Sequence, residues 1–291
     1  EGFTSYYDDV ALARAGLRDL DAYAAGIGGS LSGVITSPAR RLRSPVEMSM
    51  YAPFVDEAEW VDPQNLPNTF VSYYTWGSVV ALGLDLILRT RFDDLTLDDY
   101  MRALWVRHGR TERRYTMDDL ETVLAEVTGD APFAEEFFAR YAAGREMVDY
   151  GSLLAAAGLN LRKRNPDRAW AGGARLSDGA GGAVVASPTL VGSPLYRAGL
   201  DRGARIVSLD RRSVRSAGDV ARIVSERRPG DRVQITYEDR GATRTGSLVL
   251  AEDPALEVVT FERAGREVTD GIREFRQAWL GVRVPGAVPA R

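Results

Sequence analysis

The sequence predicts an α+β protein built from more than one domain. A mainly helical part covers residues 1–160, a small β-rich domain covers 169–252, and a strand-and-helix tail covers 253–291. Two observations carry this reading. Up to Leu159 apolar residues recur three or four apart, as in Val10, Leu17, Leu20 and Tyr23 and again in Met101, Leu104 and Trp105, the period of a one-sided helix. Beyond Leu159 the texture changes to short β-type runs divided by glycine-rich turns.

Taken in order, the first helix runs on from EGFTSYYDD, with Glu1 at its head. Residues 32–67 are rich in Ser, Pro and Arg and read as an irregular excursion between helices. Residues 70–88, FVSYYTWGSVVALGLDLIL, approach the length of a bilayer span. Tyr73, Tyr74 and Asp85 lie within them and Arg89 and Arg91 follow, so a helix crossing a protein core is the better reading. Thr96 with Asp99, and Thr116 with Asp119, carry the spacing of a capping box, which explains their paired aspartates as helix starts rather than metal ligands. His108, followed by Gly109, falls at a helix end, where an imidazole commonly sits near the last carbonyls.

The stretch LRKRNPDRAW, 161–170, reads as a charged linker. Strands are expected at 182–186, 204–209, 232–237 and 245–250, with one helix at 217–227. A strand-like piece at 257–261 and a short helix ending in Trp279, Leu280 and Gly281 complete the tail.

Composition sets bounds on function. At 45% hydrophobic and 27% charged, the chain is an ordinary folded protein. A net charge of -4 offers nothing to nucleic acid or to an anionic membrane. The absence of cysteine excludes disulfides, thiol catalysis and Cys-ligated metal, and fits a cytoplasmic protein. A single histidine excludes an HExxH zinc helix within these residues. No GxxxxGK[ST] or GxSxG pattern occurs.

The β-rich part resembles a PDZ domain. Ser193, Pro194, Leu195, Tyr196, Arg197, Ala198, Gly199 and Leu200 match the turn and short helix of the bacterial members. Gly203 to Leu209 and Pro229 to Val233 follow as in that family, with Ala204 where aspartate is usual. The resemblance implies capture of an extended peptide along a sheet edge, its terminal carboxylate at backbone amides. The loop of Ala171, Gly172, Gly173 and Ala174 is the candidate for those amides, beside a groove helix at 217–227. The same glycines could simply turn the chain, with the groove packed against the larger domain.

The larger part resembles the C-terminal portion of the catalytic domain of the glycyl aminopeptidase family, zinc peptidases of thermolysin-like fold that carry a PDZ domain. The matching segments are Glu1 to Tyr7, Val71 to Gly77, Leu84 to Leu86 with Arg89, the PDZ stretch, and Trp279 to Gly281. Two positions depart from the family: Trp76 stands where it has lysine, and Ala39 where it has glycine before an arginine. The resemblance implies that Glu1 is the third zinc ligand and that Tyr74 donates to the oxyanion of the peptide carbonyl. Tyr73 would be packing, and Tyr6 and Tyr7 core or cleft wall.

On that reading the two histidines and the general-base glutamate lie upstream of Glu1. The expected function is therefore that of a C-terminal piece of a zinc aminopeptidase acting on small N-terminal residues such as Gly or Ala. By itself it would hold no zinc and be inactive, and its partners would be peptides and the upstream half of the same protein. The alternative is a non-enzymatic PDZ adaptor with a helical partner domain.

Overall fold

The computed structural model describes residues 1–55, 65–92 and 95–281. Helix α1 (Gly2–Arg14) crosses α6 (Tyr73–Arg91) at a pair of glycines. A Cβ on Gly2 would lie 2.2 Å from the Gly77 Cα, and one on Gly77 would lie 2.6 Å from the Gly2 Cα. The two backbones can touch only because neither residue carries a side chain.

Helix α6 is the single described helix long and apolar enough to cross a membrane by length and composition. Its Trp76, Val79, Leu82, Leu84, Leu86 and Leu88 are buried in the protein core. Helix α2 (Leu20–Thr36) lies alongside it and adds Tyr23, Ile27, Leu31 and Val34 to the same core.

Residues 32–67 are more regular than their composition suggests. After α2 come a 3₁₀ turn (Pro38–Arg41) and the short helices α3 (Pro45–Met50), α4 (Ala52–Val55) and α5 (Leu66–Thr69). The prolines begin elements instead of breaking them: Pro38 and Pro45 each follow a serine whose side chain caps the next turn. Residues 56–64 of that stretch lie outside the described residues.

Helices α7 (Leu97–Leu104), α8 (Met117–Thr128) and α9 (Ala131–Phe137) follow. The expected capping contacts are present. Thr96 N–H donates to Asp99 at 3.0 Å and Thr116 N–H to Asp119 at 2.8 Å. Both α7 and α9 run directly into a single π turn, Trp105–Gly109 and Phe138–Ala142. Helix α10 (Tyr150–Ala156) closes the helical stretch, its Tyr150 hydroxyl donating to the Val79 carbonyl at 2.8 Å.

The first part of the expected linker is a strand. β1 (Leu159–Lys163) pairs antiparallel with β10 (Leu256–Thr260), from Leu159 opposite Thr260 to Lys163 opposite Leu256. Its partner lies almost a hundred residues away, so no local alternation announces it. β10 in turn packs on α2 at Gly28, where a Cβ would come 2.6 Å from the Val258 nitrogen. Helix α13 (Asp270–Leu280) then buries Trp279 and Leu280 in the helical core. The described part of the tail thus belongs to the first core, while 282–291 lie outside the described residues.

Between β1 and β10 the chain forms a second, separate core. Its largest sheet runs in the order β3 (Leu176–Gly179), β4 (Gly182–Val185), β5 (Arg205–Leu209), β7 (Arg232–Asp239), β8 (Ala242–Val249), and β6 (Arg212–Ser213) pairs with β5. A smaller pair, β2 (Ala169–Trp170) with β9 (Ala251–Glu252), stands where the chain enters and leaves. Helix α11 (Pro194–Arg197), capped by Ser193, and helix α12 (Ala217–Ser225), capped by Ser216, close the unit. α12 buries Val220, Ile223 and Val224 against it. The two units also meet at a buried side chain. Asn68 donates to the Thr189 carbonyl at 2.9 Å and accepts from Val191 N–H at 2.8 Å.

Candidate active site

Glu1 is the N-cap of α1, and its side chain makes no capping bond; the residue is exposed. It is nevertheless fixed in place. The Gly2–Gly77 contact holds the head of α1 against the first turns of α6, where Tyr73 and Tyr74 stand. Tyr74 lies one helical turn before Gly77, about 4.5 Å along the axis. Deeper in α1, Tyr6 donates to Asp85 at 2.6 Å and Tyr7 to Asp98 at 2.8 Å, which locks the rotation of the helix. Tyr6 is a core residue, as expected, and Tyr7 is half-buried against the same core.

The two neighbouring tyrosines differ in burial. Their rings stack with centroids 4.6 Å apart. Tyr73 is buried and, with Glu1, lines a cavity of about 440 Å³. Tyr74 is 40% exposed. Tyr73 packs in the helical core, as expected, and also lines the cavity beside Glu1.

That cavity is walled by α1, α3, α6, α7, α8, the end of α9 and both π turns. Most of its surface is aromatic or aliphatic, with Phe3, Tyr100, Leu104 and Phe137 among the contributors. His108 lies in this wall, 5% exposed, and neither ring nitrogen has a hydrogen-bond partner among the described residues. His108 does lie in the last turn of a helix, as expected, but its ring makes no hydrogen bond to the closing carbonyls. The backbone here is a π turn, closed by Arg110 N–H to the Trp105 carbonyl at 2.7 Å, and the imidazole carried on it is buried in the cavity wall. Gly109 leaves room for the Trp105 ring, which a Cβ there would meet at 2.4 Å. Sequence reasoning gave this residue a structural place at a helix end, and its one signal was a lone histidine ahead of a glycine.

No group of three or more His, Cys, Asp or Glu side chains that could hold a metal occurs among the described residues. A carboxylate such as that of Glu1 is a suitable oxygen donor for zinc.

In the β-rich unit the loop from Ala171 to Ala174 sits over the start of α11. The Ala171 carbonyl accepts from Leu195 N–H at 2.8 Å. Gly172 has φ 144°, and a Cβ there would press on Ser193 Oγ at 3.3 Å. Gly173 is exposed, while Gly172 and Ala174 are half-buried. Strand β3, which follows the loop, pairs only with β4 among the described residues, and Asp178 on it accepts from Ala217 N–H at 2.8 Å, tying α12 to that strand. Trp279 and Leu280 lie in the other core, so they do not fill this groove.

Residues 1–80 match the profile of the M61 glycyl aminopeptidase family. A solved structure from Idiomarina loihiensis, described as an aminopeptidase N family protein, superposes with a TM-score of 0.78 at 26% identity, over 94% of this chain. The family match thus rests on the first 80 residues, and the structural likeness to the aminopeptidase N family protein extends over nearly the whole chain. The chain spans about half of that relative, 47% of its length. Smaller likenesses fall on other proteins. The HtrA-type protease AlgW with a decapeptide aligns over 30% of each chain at 21% identity and TM-score 0.28. The HtrA3 PDZ domain bound to a phage-derived ligand aligns over 38% of this chain and 100% of its own, at 18% identity and TM-score 0.25. Scores of that size carry no weight for the fold. No curated protein matches the chain significantly. The chain shares that relative's mixed helix and sheet, and its long apolar helix is a core element.

Proposed function

We propose that this chain forms the helical C-terminal part of the catalytic domain, followed by a PDZ domain, of a zinc aminopeptidase that removes small N-terminal residues such as Gly or Ala. The observation that carries this reading is the head of α1. Glu1 is pinned by the Gly2–Gly77 contact against the tyrosine-bearing end of α6, at the rim of a cavity large enough for part of a peptide. Glu1 would be one zinc ligand, and the other donors would come from elsewhere in a longer polypeptide. Zinc, when bound, would polarise the scissile carbonyl and lower the pKa of a water. Tyr74 would donate its phenolic proton in a hydrogen bond to the carbonyl oxygen as charge develops there. These 291 residues alone would then be inactive. The lack of cysteine supports a reducing, cytoplasmic setting.

The β-rich unit is read as PDZ because β3 offers a strand edge beside α12, headed by the Gly172–Gly173 loop. A peptide would add to that edge through its backbone, with its carboxylate at the loop amides.

The test is a longer polypeptide that includes the coding sequence upstream of Glu1, loaded with zinc and assayed on glycyl and alanyl p-nitroanilides. Glu1→Gln should lose tight zinc binding and activity together. Tyr74→Phe should lower kcat by about 10²–10³. Full activity in Glu1→Gln would remove the zinc assignment, and a larger effect from Tyr73→Phe than from Tyr74→Phe would transfer the donor role to Tyr73.

A further inference from the structure

The cavity beside Glu1 holds an imidazole that the described structure leaves incomplete. His108 is 5% exposed and both of its ring nitrogens lack a partner among the described residues. Its ring neighbour is Tyr115, edge-on at 5.8 Å. A neutral imidazole carries one donor and one acceptor, and buried polar groups are almost always paired. The segment that presents it is a π turn, and a second π turn, Phe138–Ala142, forms part of the same wall. Single π turns within helices recur at functional sites, since they trade a regular hydrogen bond for a side-chain direction.

The rest of the wall limits what can complete His108. Phe3, Tyr73, Tyr100, Leu104 and Phe137 favour a flat apolar body. The exposed carboxylate of Glu1 at the rim disfavours an anion. The space, about 440 Å³, is within the range of ordinary ligand pockets. The occupant that suits this wall is aromatic and not anionic, with a polar group at its tip that can pair one ring nitrogen of His108, whichever of donor or acceptor that nitrogen is. A phenol meets all of these conditions, and a phenyl group fails only the last.

We propose that this cavity is a subsite for a tyrosyl side chain of a peptide, with its hydroxyl hydrogen-bonded to His108. The proposal rests on the peptidase reading for the class of ligand, while the preference for a phenol rests on the cavity alone.

His108 is the sole histidine of the chain, so its imidazole C–H resonances are unambiguous in an NMR titration of the 291-residue protein. N-acetyl-L-tyrosinamide should shift them saturably, and N-acetyl-L-phenylalaninamide should bind about tenfold more weakly, the scale of one hydrogen bond. In calorimetric titrations His108→Phe should bind the two probes equally. Leu104→Trp, which fills the cavity, should bind neither and serves as the second variant if His108→Phe does not fold. Absence of a saturable shift, equal affinities in the unaltered protein, or a tyrosine preference that survives in His108→Phe would each overturn the proposal. Binding here requires neither metal nor turnover, so its failure is separable from failure of the Glu1 assay on the longer polypeptide.

Discussion

The Tyr6 hydroxyl donates to Asp85 at 2.6 Å and accepts from the Trp279 indole N–H at 2.9 Å, joining the first helix, the central helix and the last helix at one buried point. Asp85 also accepts from Arg89 Nε and from Leu97 N–H, both at 2.9 Å. Both members of the Asp85–Arg89 pair are nearly inaccessible, at 1% and 6% side-chain exposure. Helix α1 carries Glu1, so this network sets where that carboxylate stands.

Tyr6→Phe should cost about 1–3 kcal/mol, because it removes the donor to Asp85 and orphans the Trp279 N–H. Asp85→Ala should cost more, about 3–5 kcal/mol, since it strands the Arg89 charge in the core. Urea denaturation of the two variants checks the order. An Asp85→Ala variant no less stable than Tyr6→Phe would show that Arg89 finds another partner or water.

Gly77→Ala should destabilise the helical unit by about 1–3 kcal/mol through overpacking. Its added methyl would sit 2.6 Å from the Gly2 Cα, against backbone that cannot rotate aside. Thermal unfolding measures the cost. Gly33→Ala is the control, because a Cβ there meets nothing within 4 Å, and an equal loss at both positions would discount the close crossing.

Stability should fall at alkaline pH. Burial raises Tyr6 well above the ordinary phenol value, reinforced by the neighbouring Asp85 charge, and burial likewise raises Tyr23, Tyr100 and Tyr150. The sign follows from linkage. Above about pH 10 the unfolded chain releases these protons while the folded chain keeps them, so stability present below pH 10 is lost as pH rises further. Equilibrium unfolding at pH 8 and pH 11 should show the drop, smaller in Tyr6→Phe after allowing for its lower starting stability. A flat profile would mean that the phenols titrate normally.

Peptides ending in a free carboxylate should bind the β-rich unit more tightly than their C-terminal amides. Gly172→Val should abolish the difference, because φ 144° is strained for a side chain and the added atoms press on Ser193 and Leu195. Fluorescence anisotropy with labelled peptides reads the ratio. Equal binding of acid and amide would retire carboxylate capture and leave strand addition to be judged by itself.

Much of the helical order was legible in the sequence because amphipathic periodicity and capping boxes are local signals. The Thr96–Asp99 and Thr116–Asp119 caps, the strands at β4, β5, β7 and β8, and the Gly281 stop after Leu280 all rest on chemistry within a few residues. Strand β1 was hidden for the opposite reason. Its partner β10 is contributed from the far side of an entire domain, and charged residues at its exposed end read as a linker. The short helices between residues 38 and 69 were hidden by prolines that composition counts as breakers but that stand at helix starts.

The sequence by itself determined the helical and β-rich division, the family resemblance through Glu1 and the tyrosines of α6, and the impossibility of an HExxH site within a chain holding one histidine. Tertiary structure alone decided which side of α6 faces the cavity, placing Tyr73 there and leaving Tyr74 at the surface, and it turned His108 inward. The physical reason is that spacing along a helix fixes relative angles but not the absolute rotation. That rotation comes from contacts distant in sequence, here Gly2 on Gly77 and Tyr6 on Asp85.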